Sequence, residues 1–311
     1  MSAITFTALF VLVTQCVFAQ SRTVAITIDD LPVAGKANRF EIETINSALL
    51  KALQKHKAPA TIFVNEQGIE ALGTEAGMRL LNSWVEQGHD LGNHTYSHAD
   101  LNKITPGQFQ TEVTKGEETI RKVLAAKKRT PQYLRFPFNH TGDTVEKRNA
   151  AAAFLAQRGY KIATCTIDNS DYEFARSYQL MLARNDIAAA TQLRQEYLAF
   201  TAAEIDYYSN LHQTVWGRQI PHVMLLHANK LNAEVLDAML TVFQQKGFRF
   251  VTLSQAQADQ AYYFPINAVT SYGPMWGYRW AKEKGIKVNG ALEPDPPKWI
   301  LKYDGEKYRK P

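Results

Sequence analysis

Short apolar runs alternate with amphipathic segments along most of the chain. These short runs predict strands at residues 23–28, 60–64, 89–92, 133–136, 161–167, 222–226 and 249–252, and the first of them is rich in β-branched residues. Apolar residues at helical spacing predict helices between them, at residues 41–55, 75–87, 106–126, 144–158 and 231–246. This repeated alternation of strand and helix predicts an α/β fold with a parallel sheet, either open or closed into a barrel.

Two segments depart from the alternation. Residues 178–208 form a long stretch rich in Ala, Leu and Gln, for which we expect structural packing rather than a lid beside a site. Residues 261–311 are rich in aromatic residues and proline and predict an irregular extension. Aromatic side chains that cover core surface are a more common arrangement than an aromatic platform for sugar rings. We therefore expect one domain over residues 20–260 and a packed C-terminal extension over residues 261–311.

The composition is that of an ordinary globular protein. The chain has 311 residues, of which 45% are hydrophobic and 21% are charged, with a formal net charge of +5. This length is sufficient for one large domain with its own core. The positive charges form no basic block with interleaved aromatics, so we expect no nucleic-acid partner.

The N-terminal segment predicts export. Residues 1–19 contain no charged residue, and an apolar run at residues 4–13 leads to Val17-Phe18-Ala19 before Gln20. This pattern predicts a secretory signal peptide over residues 1–19, with a membrane anchor as the second interpretation and a lipoprotein signal at Cys16 as the third. After cleavage Cys165 is the one remaining cysteine, so no intrachain disulfide can form. We expect a periplasmic or secreted bacterial protein with no stable membrane insertion after cleavage.

Polar groups follow the predicted strands at their C-terminal ends, where ligands bind in α/β folds. These groups are Asp29 and Asp30, Asn93 and His94, Arg135, Asp168 and Asp171, and His227. Two imidazoles and one carboxylate would make a three-ligand set with an open fourth position on zinc, and a second carboxylate would be free to act as a base. That is sufficient for metal-assisted hydrolysis.

Each of these residues also has an ordinary structural interpretation when taken alone. Adjacent aspartates commonly cap helices or form turns, and a single His-x-x-x-His spacing is weak evidence for a metal. Asp168 is compatible with an Asx turn, and Arg135 and Asp171 are compatible with structural ion pairs. The functional interpretation therefore depends on the whole set and its order.

The ordered set resembles the polysaccharide deacetylase (NodB-homology) family, carbohydrate esterase family 4. Five motifs of that family have counterparts over residues 24–256: Thr27-Ile28-Asp29-Asp30-Leu31-Pro32, His94-Thr95-Tyr96-Ser97-His98, Arg135-Phe136-Pro137-Phe138, Asp168-Asn169-Ser170-Asp171-Tyr172 and Leu225-Leu226-His227. Ile28 and Leu31 replace the Phe and Gly of the first motif, and Asn139 stands where many members carry Gly. Because Leu31 is bulky, we expect it either to narrow the cleft or to change the backbone of the turn. The resemblance implies an irregular (β/α) barrel of about seven parallel strands.

The resemblance also implies roles for the individual residues. Asp30, His94 and His98 would hold one divalent metal ion, with zinc favoured and cobalt or nickel as alternatives. Four groups would be catalytic: Asp29 as the general base, Arg135 as its tether, His227 as the general acid, and Asp168 as the group that orients His227. Substrate contacts would come from Phe138, Leu225, Asp171 and Tyr172, with a backbone N–H near Phe138 in the oxyanion site.

The resulting hypothesis is metal-dependent removal of acetyl groups from an acetylated glycan, with release of acetate. The expected substrates are N-acetylglucosamine polymers such as peptidoglycan or chitin-like oligosaccharides, followed by O-acetylated xylan. The alternative is a catalytically silent glycan-binding protein with the same fold, although such a protein needs neither the base Asp29 nor the acid His227. A third interpretation is a structural zinc site, but those are usually closed by four protein ligands.

Overall fold

The computed structural model describes residues 22–303, so the predicted signal peptide and Cys16 lie outside the described residues. The strands are β1 Arg22–Leu31, β2 Ala60–Val64, β3 Asp90–Asn93, β4 Tyr133–Leu134, β5 Lys161–Ile162, β6 His222–His227 and β7 Phe248–Phe250. The helices are α1 Arg39–Lys55, α2 Glu66–Ala71, α3 Thr74–Glu86, α4 Pro106–Lys115, α5 Glu118–Ala125, α6 Val145–Gln157, α7 Asp171–Ala183, α8 Ile187–Trp216, α9 Lys230–Gln245, α10 Leu253–Ala256, α11 Trp276–Glu283 and α12 Lys298–Leu301.

All strand pairs in the sheet are parallel, and the strand order is β5-β4-β3-β2-β1-β6, with β7 beside the start of β1. The chain after β5 returns to the other end of this order. There Ile167 forms a bridge with Met224 of β6, and the Leu225 N–H donates to the Ile167 carbonyl at 3.0 Å. The predicted strand at 161–167 is therefore a two-residue strand followed by an irregular segment that closes the sheet. The expected irregular barrel is confirmed.

Local sequence signals explain where several helices begin and end. Asn38 and Glu41 form a capping box at the start of α1, and Thr105 and Gln108 form one at the start of α4. Gly88 follows α3 with a φ of 88°, a left-handed conformation that glycine adopts at little cost.

The predicted helix at 106–126 is interrupted in the structure. Gly116 separates α4 from α5, and a Cβ at this position would lie 2.7 Å from Asn93 Oδ1 and from the Thr95 carbonyl carbon. The glycine therefore allows the helix pair to pack closely against the chain around His94. This tertiary contact overrides the helical periodicity of the sequence.

The core lies between the sheet and the surrounding helices. Val24, Ile26 and Ile28 of β1 are buried together with Leu49 of α1 and Leu236 of α9. Leu31 is also fully buried in this cluster, so it does not narrow the cleft as expected. No helix within residues 22–303 has both the length and the apolar character that crossing a bilayer requires.

The two irregular segments also pack on the core. The long stretch around 178–208 belongs to α7 and α8, and Tyr178, Tyr197 and Tyr208 on these helices are buried in the main core cluster. Beyond residue 260, Trp276 and Trp280 of α11 join the same cluster. These two tryptophans of the C-terminal segment therefore cover core surface, whereas Tyr263 and Tyr272 are exposed.

Candidate metal and catalytic site

The predicted polar residues meet at the C-terminal ends of the parallel strands. Asp29 at the end of β1 is the register partner of His227 at the end of β6. His94 and Arg135 directly follow β3 and β4. Most of these side chains line a cavity of about 730 Å³ that also includes Asp168, Leu225 and Tyr172. The strand ends thus bring together the residues that the motifs single out.

Asp30, His94 and His98 form a compact group of three potential metal ligands. Asp30 Oδ1 lies 3.4 Å from Nε2 of His94 and 3.4 Å from Nε2 of His98. In a tetrahedral zinc site with bonds of about 2.0–2.1 Å, two ligand atoms are about 3.3–3.4 Å apart. The spacing of these atoms therefore matches the edge of a tetrahedral site.

Hydrogen bonding also prepares this group for a metal. His94 Nδ1 lies 2.8 Å from the Arg135 carbonyl, which fixes Nδ1 as the donor and leaves the Nε2 lone pair directed at Asp30. Asp30 Oδ1 is buried without a hydrogen-bond partner among the described residues. A buried carboxylate oxygen without a partner is costly unless it binds a cation. The donor set of this chain thus fits a divalent metal ion.

The backbone around the ligands is held in an uncommon conformation. Asp30, Thr95 and His98 have φ angles of 65°, 68° and 58°, in the left-handed region that side chains rarely adopt. Asn93 Oδ1 accepts from the Thr95 N–H at 2.8 Å and stabilises this turn. Such outliers cluster at functional sites, where the surrounding structure holds them in place.

Asp29 lies beside the ligand group and is held by Arg135. The guanidinium Nη1 lies 3.2 Å from Asp29 Oδ2, and the remaining donors of Arg135 bind Thr27 Oγ1 at 3.1 Å and the Ala163 carbonyl at 2.9 Å. The ring of Phe63 covers the guanidinium, with its centroid 4.7 Å away. Both members of the pair are buried, so the geometry of the Asp29 carboxylate is fixed.

The pKa of Asp29 is raised to about 6, mainly because burial disfavours its charged form. Arg135 and His227 oppose this effect and favour the ionised carboxylate. The group therefore titrates close to neutral pH, the range that suits a general base.

His227 pairs with Asp171, where the sequence predicts Asp168. Its Nδ1 lies 2.6 Å from Asp171 Oδ1, and its backbone N–H donates to Asp171 Oδ2 at 2.8 Å. Asp171 is fully buried and does not line the cavity, so the expected substrate contact of Asp171 is also wrong. These are two corrections to the sequence interpretation.

The backbone conformation of Ser170 explains why Asp171, and not Asp168, pairs with His227. Asp168 Oδ1 accepts from the Ser170 N–H at 3.0 Å, which is the Asx turn that the sequence allows. Ser170 has a φ of 50° and turns the chain so that Asp171 begins α7 and faces β6. Asp168 remains on the cavity wall, with its pKa raised to about 6 mainly by burial.

Asp171 strongly affects the protonation of His227. Burial alone would lower the pKa of His227, but the charge and the hydrogen bond of Asp171 outweigh it and raise this pKa to about 10. Asn232 Nδ2 donates to Asp171 Oδ2 at 2.5 Å and Asn229 Nδ2 donates to the same oxygen at 3.2 Å. The imidazole is therefore held in its protonated form with Nδ1 occupied.

The remaining predicted contacts lie on the wall of the cavity. Leu225 is 7% exposed, whereas Phe138 and Tyr172 are each 55% exposed and present aromatic surface. The Phe138 ring packs against His98 with centroids 4.6 Å apart. The cavity thus combines a small apolar floor with aromatic walls.

Several residues of the site are missed by the motifs. Thr27 binds Arg135, and Asn229 and Asn232 bind Asp171. Asn232 occupies an otherwise apolar, buried helix face, which is a detectable signal in the sequence. Ser271, Tyr272 and Gly273 of the C-terminal extension also line the cavity, and no local pattern indicates this.

Part of the chain is similar in sequence to known proteins. Residues 19–159 match the family model for polysaccharide deacetylase. A chitin deacetylase from Arthroderma benhamiae is 30% identical over 153 residues, which are 49% of this chain and 36% of that protein. A peptidoglycan-N-acetylglucosamine deacetylase from Bacillus cereus is 22% identical over 236 residues, which are 74% of this chain and 66% of that protein.

The fold also matches solved structures. The polysaccharide deacetylase from Bacillus cereus superimposes with a TM-score of 0.52 at 17% identity, over 74% of this chain and 91% of that chain. The chain spans between 36% and 51% of the length of the first curated relatives that it matches. Residues 19–159 are therefore similar in sequence to polysaccharide deacetylases, and the fold of the chain matches that of a solved polysaccharide deacetylase.

Proposed function

We propose that the chain is a metal-dependent hydrolase that removes acetyl groups from an acetylated glycan and releases acetate. The observation that carries this proposal is the arrangement around one cavity of a ligand group, a buried base and a protonated acid. The base is Asp29 held by Arg135, and the acid is His227 held by Asp171.

Asp30, His94 and His98 would hold the metal, which we propose to be zinc, with cobalt or nickel as alternatives. When bound there, a divalent ion would polarise the acetyl carbonyl and lower the pKa of a coordinated water. Asp29 would accept the proton of the attacking water, because its carboxylate lies beside the ligands and titrates near neutral pH. Arg135 would keep this carboxylate ionised and correctly oriented.

The developing oxyanion would receive a hydrogen bond from the backbone N–H of Phe138. Phe138 is the second residue of the 3₁₀ turn Pro137–Asn139, and the first backbone N–H groups of such a turn have no partner within it. The Phe138 N–H is thereby available for the substrate oxygen.

His227 would give its proton to the leaving nitrogen or oxygen as the bond to the acetyl carbon breaks. Its Nδ1 is engaged by Asp171, so Nε2 is the nitrogen that serves the substrate. Leu225 would contact the acetyl methyl group, and Phe138 and Tyr172 would contact the sugar rings. Acetate and the free amine or alcohol are the products.

The substrate class that we propose is a glycan that carries N-acetylglucosamine, such as peptidoglycan or chitin-like oligosaccharides, with O-acetylated xylan second. The relatives that are named as chitin and peptidoglycan deacetylases support this choice. We also propose residues 20–260 as the catalytic domain, residues 261–311 as its extension, and export to the periplasm or medium after cleavage of residues 1–19. N-terminal sequencing of the exported protein would test the cleavage before Gln20.

A glycan-binding protein without activity is the competing function. Burying the charged groups of Asp29 and Arg135 has a desolvation cost. This argues against a binding protein, because glycan binding alone does not need a positioned base.

The proposal is tested by acetate release from the chain starting at Gln20. Substrates would be chitooligosaccharides, peptidoglycan fragments and acetylated xylan, offered to metal-stripped protein and to protein with zinc or cobalt restored. We expect release only with metal, and fastest from an N-acetylglucosamine substrate. Metal-independent release, or tight substrate binding without any release, would contradict the proposal.

A further inference from the structure

The C-terminal extension reaches the wall of the catalytic cavity. Ser271, Tyr272 and Gly273 line the cavity next to Phe138 and Asn139. The side chain of Tyr272 is 57% exposed, so it presents an aromatic face at this wall. The extension therefore contributes to the surface that a substrate would meet.

Arg279 of α11 connects the extension to the turn that carries Phe138. Its Nη2 donates to the Asn139 carbonyl at 2.6 Å, its Nη1 to Thr141 Oγ1 at 2.9 Å, and its Nε to the Pro274 carbonyl at 2.9 Å. The guanidinium also lies 4.7 Å from the ring centroid of Trp276. A single side chain thus joins the loop after β4 to the extension.

The turn held by Arg279 has an unusual backbone. Phe138 and Asn139 are two successive residues with positive φ, at 58° and 55°. A residue with a side chain rarely adopts this conformation, so neighbouring contacts must maintain it. Asparagine tolerates this conformation better than most residues with a side chain, which suits Asn139 at this position.

Gly273 packs directly against the same turn. A Cβ at residue 273 would lie 1.8 Å from the Phe138 carbonyl oxygen and 2.9 Å from Asn139 Cβ. Asn139 Nδ2 also contacts Met275 Sδ at 3.8 Å. The extension therefore encloses the turn closely, and no side chain fits at residue 273 without moving it.

Burying an arginine to hold a loop in place has a high desolvation cost. Arg279 is 3% exposed, and its three hydrogen bonds end on uncharged oxygens. Burying a charge without an opposite charge is costly, and a smaller neutral group could satisfy one or two of these oxygens. The rigid five-donor fork of arginine is suited to fixing several acceptors at once.

We propose that Arg279 is a positioning residue of the hydrolytic site, and that the C-terminal extension is a working part of that site. Arg279 and Gly273 hold the Phe138–Asn139 turn so that the Phe138 N–H is directed at the acetyl oxygen in the transition state. This inference rests on the proposed function. It adds residues that lie about 140 positions beyond the turn in the sequence.

The test compares Arg279→Met, Arg279→Lys and Gly273→Ala with the wild-type protein in the zinc-loaded state. A displacement of about 1 Å at a catalytic group can cost about 100-fold in rate. We expect kcat for acetate release to fall about 100-fold in Arg279→Met and in Gly273→Ala, with KM changed less than about threefold. Arg279→Lys should recover part of the loss, because an ammonium can still reach one of the oxygens.

Two further readouts separate positioning from general stability. Hydrogen exchange of the Asn139 and His140 amides, which donate to the Phe136 and Pro137 carbonyls, should become at least about tenfold faster in Arg279→Met. Metal content should stay at the wild-type level. Arg218→Met is the matched control, because Arg218 pairs with Asp259 and does not contact the turn. Ile300→Ala is a second control that weakens the packing of the extension elsewhere.

The outcomes are distinct. Loss of kcat with faster exchange in the Arg279 and Gly273 variants, and in neither control, would support the proposal. If kcat stays within twofold of wild type, or if Ile300→Ala loses as much kcat as Arg279→Met, the proposal is overturned and the deacetylase function stands. If the wild-type protein itself releases no acetate from any substrate, the proposed function is overturned, and the role of Arg279 with it.

Discussion

Asp171 Oδ1 lies 2.6 Å from His227 Nδ1, and the other oxygen of the same carboxylate accepts the His227 backbone N–H at 2.8 Å. One carboxylate thus fixes both the ring and the backbone of the proposed general acid. Asn232 and Asn229 hold this carboxylate in turn. Burial would raise the pKa of Asp171, but the charge and hydrogen bonds of His227, together with the hydrogen bond from Asn232, lower it.

Removing the charge of Asp171 should move the alkaline limit of activity. The acid form of His227 is present below its raised pKa of about 10 and is lost as the pH rises through it. Asp171→Asn removes the largest effect that raises the pKa of His227, so this pKa should fall. The alkaline limit of activity should then lie at a lower pH than in wild type. We expect kcat near neutral pH to drop about 10- to 100-fold, as for the loss of general acid catalysis.

The pH profile of acetate release measures this alkaline limit. Asp168→Asn is the control. Asp168 lies in an Asx turn with Ser170, so its substitution should leave the alkaline limit in place. An alkaline limit that moves in Asp168→Asn and stays in Asp171→Asn would restore the role that the sequence assigns to Asp168.

Removing the cation beside Asp29 should move the acidic limit in the opposite direction. The base form of Asp29 is gained as the pH rises through about 6, and Arg135 lowers this pKa. In Arg135→Met the pKa of Asp29 should therefore rise, and activity should appear only at higher pH. A bound divalent cation would lower the pKa of Asp29 further, so wild type and variant must carry the same metal. An unchanged acidic limit would show that another group is the base.

Metal binding should stabilise the fold through Asp30, His94 and His98. Asp30 Oδ1 has no hydrogen-bond partner among the described residues, so a cation would relieve the cost of burying it. Metal at 100 times its Kd should add about 2.7 kcal/mol to the free energy of unfolding. Thermal unfolding with and without zinc should show this gain in wild type and little of it in His94→Ala. An equal increase in thermal stability with zinc in both proteins would show that the metal binds at another site.

The exposed aromatic residues at the cavity should affect substrate affinity rather than turnover. Tyr172 and Tyr272 are 55% and 57% exposed and line the same cavity. An aromatic contact contributes about 0.5–1.5 kcal/mol beyond burial of its area. We therefore expect Tyr172→Ala and Tyr272→Ala to raise KM for oligosaccharides roughly 2- to 12-fold, with kcat nearly unchanged. Tyr263→Ala removes an exposed aromatic that does not line the cavity, and it serves as the control. A fall in kcat at constant KM would contradict this assignment.

Glu204 should make the fold less stable at high pH. It is buried on α8 with Oε2 unpartnered among the described residues, and burial raises its pKa to about 9. Its protonated form is favoured in the folded state, so its contribution is complete below about 4.5 and is lost as the pH rises through about 9. Glu204→Gln should therefore unfold at a higher temperature than wild type at pH 9 and not at pH 5. Equal losses of stability between pH 5 and pH 9 would contradict this.

The sequence predicts much of the sheet and the ligand group because both depend on local signals. Short runs of apolar residues locate β1, β2 and β6 closely, and the strand ends place Asp29, Asp30 and His94 at one edge. The choice between Asp168 and Asp171 could not be made from spacing, because it depends on the positive φ of Ser170. The break at Gly116 and the contact of Arg279 with Asn139 depend on tertiary packing, which leaves no periodic signal in the chain.

The most direct test of the account is to measure acetate release and metal content on the same zinc-loaded samples of wild type and Asp29→Asn. The substitution keeps the size of the side chain and leaves Asp30, His94 and His98 unchanged. The account predicts one metal ion per chain in both proteins, acetate release from an N-acetylglucosamine oligosaccharide by wild type, and a loss of about 100-fold or more in the variant. Similar rates of release from the two proteins would contradict the role of Asp29 and with it the proposed mechanism.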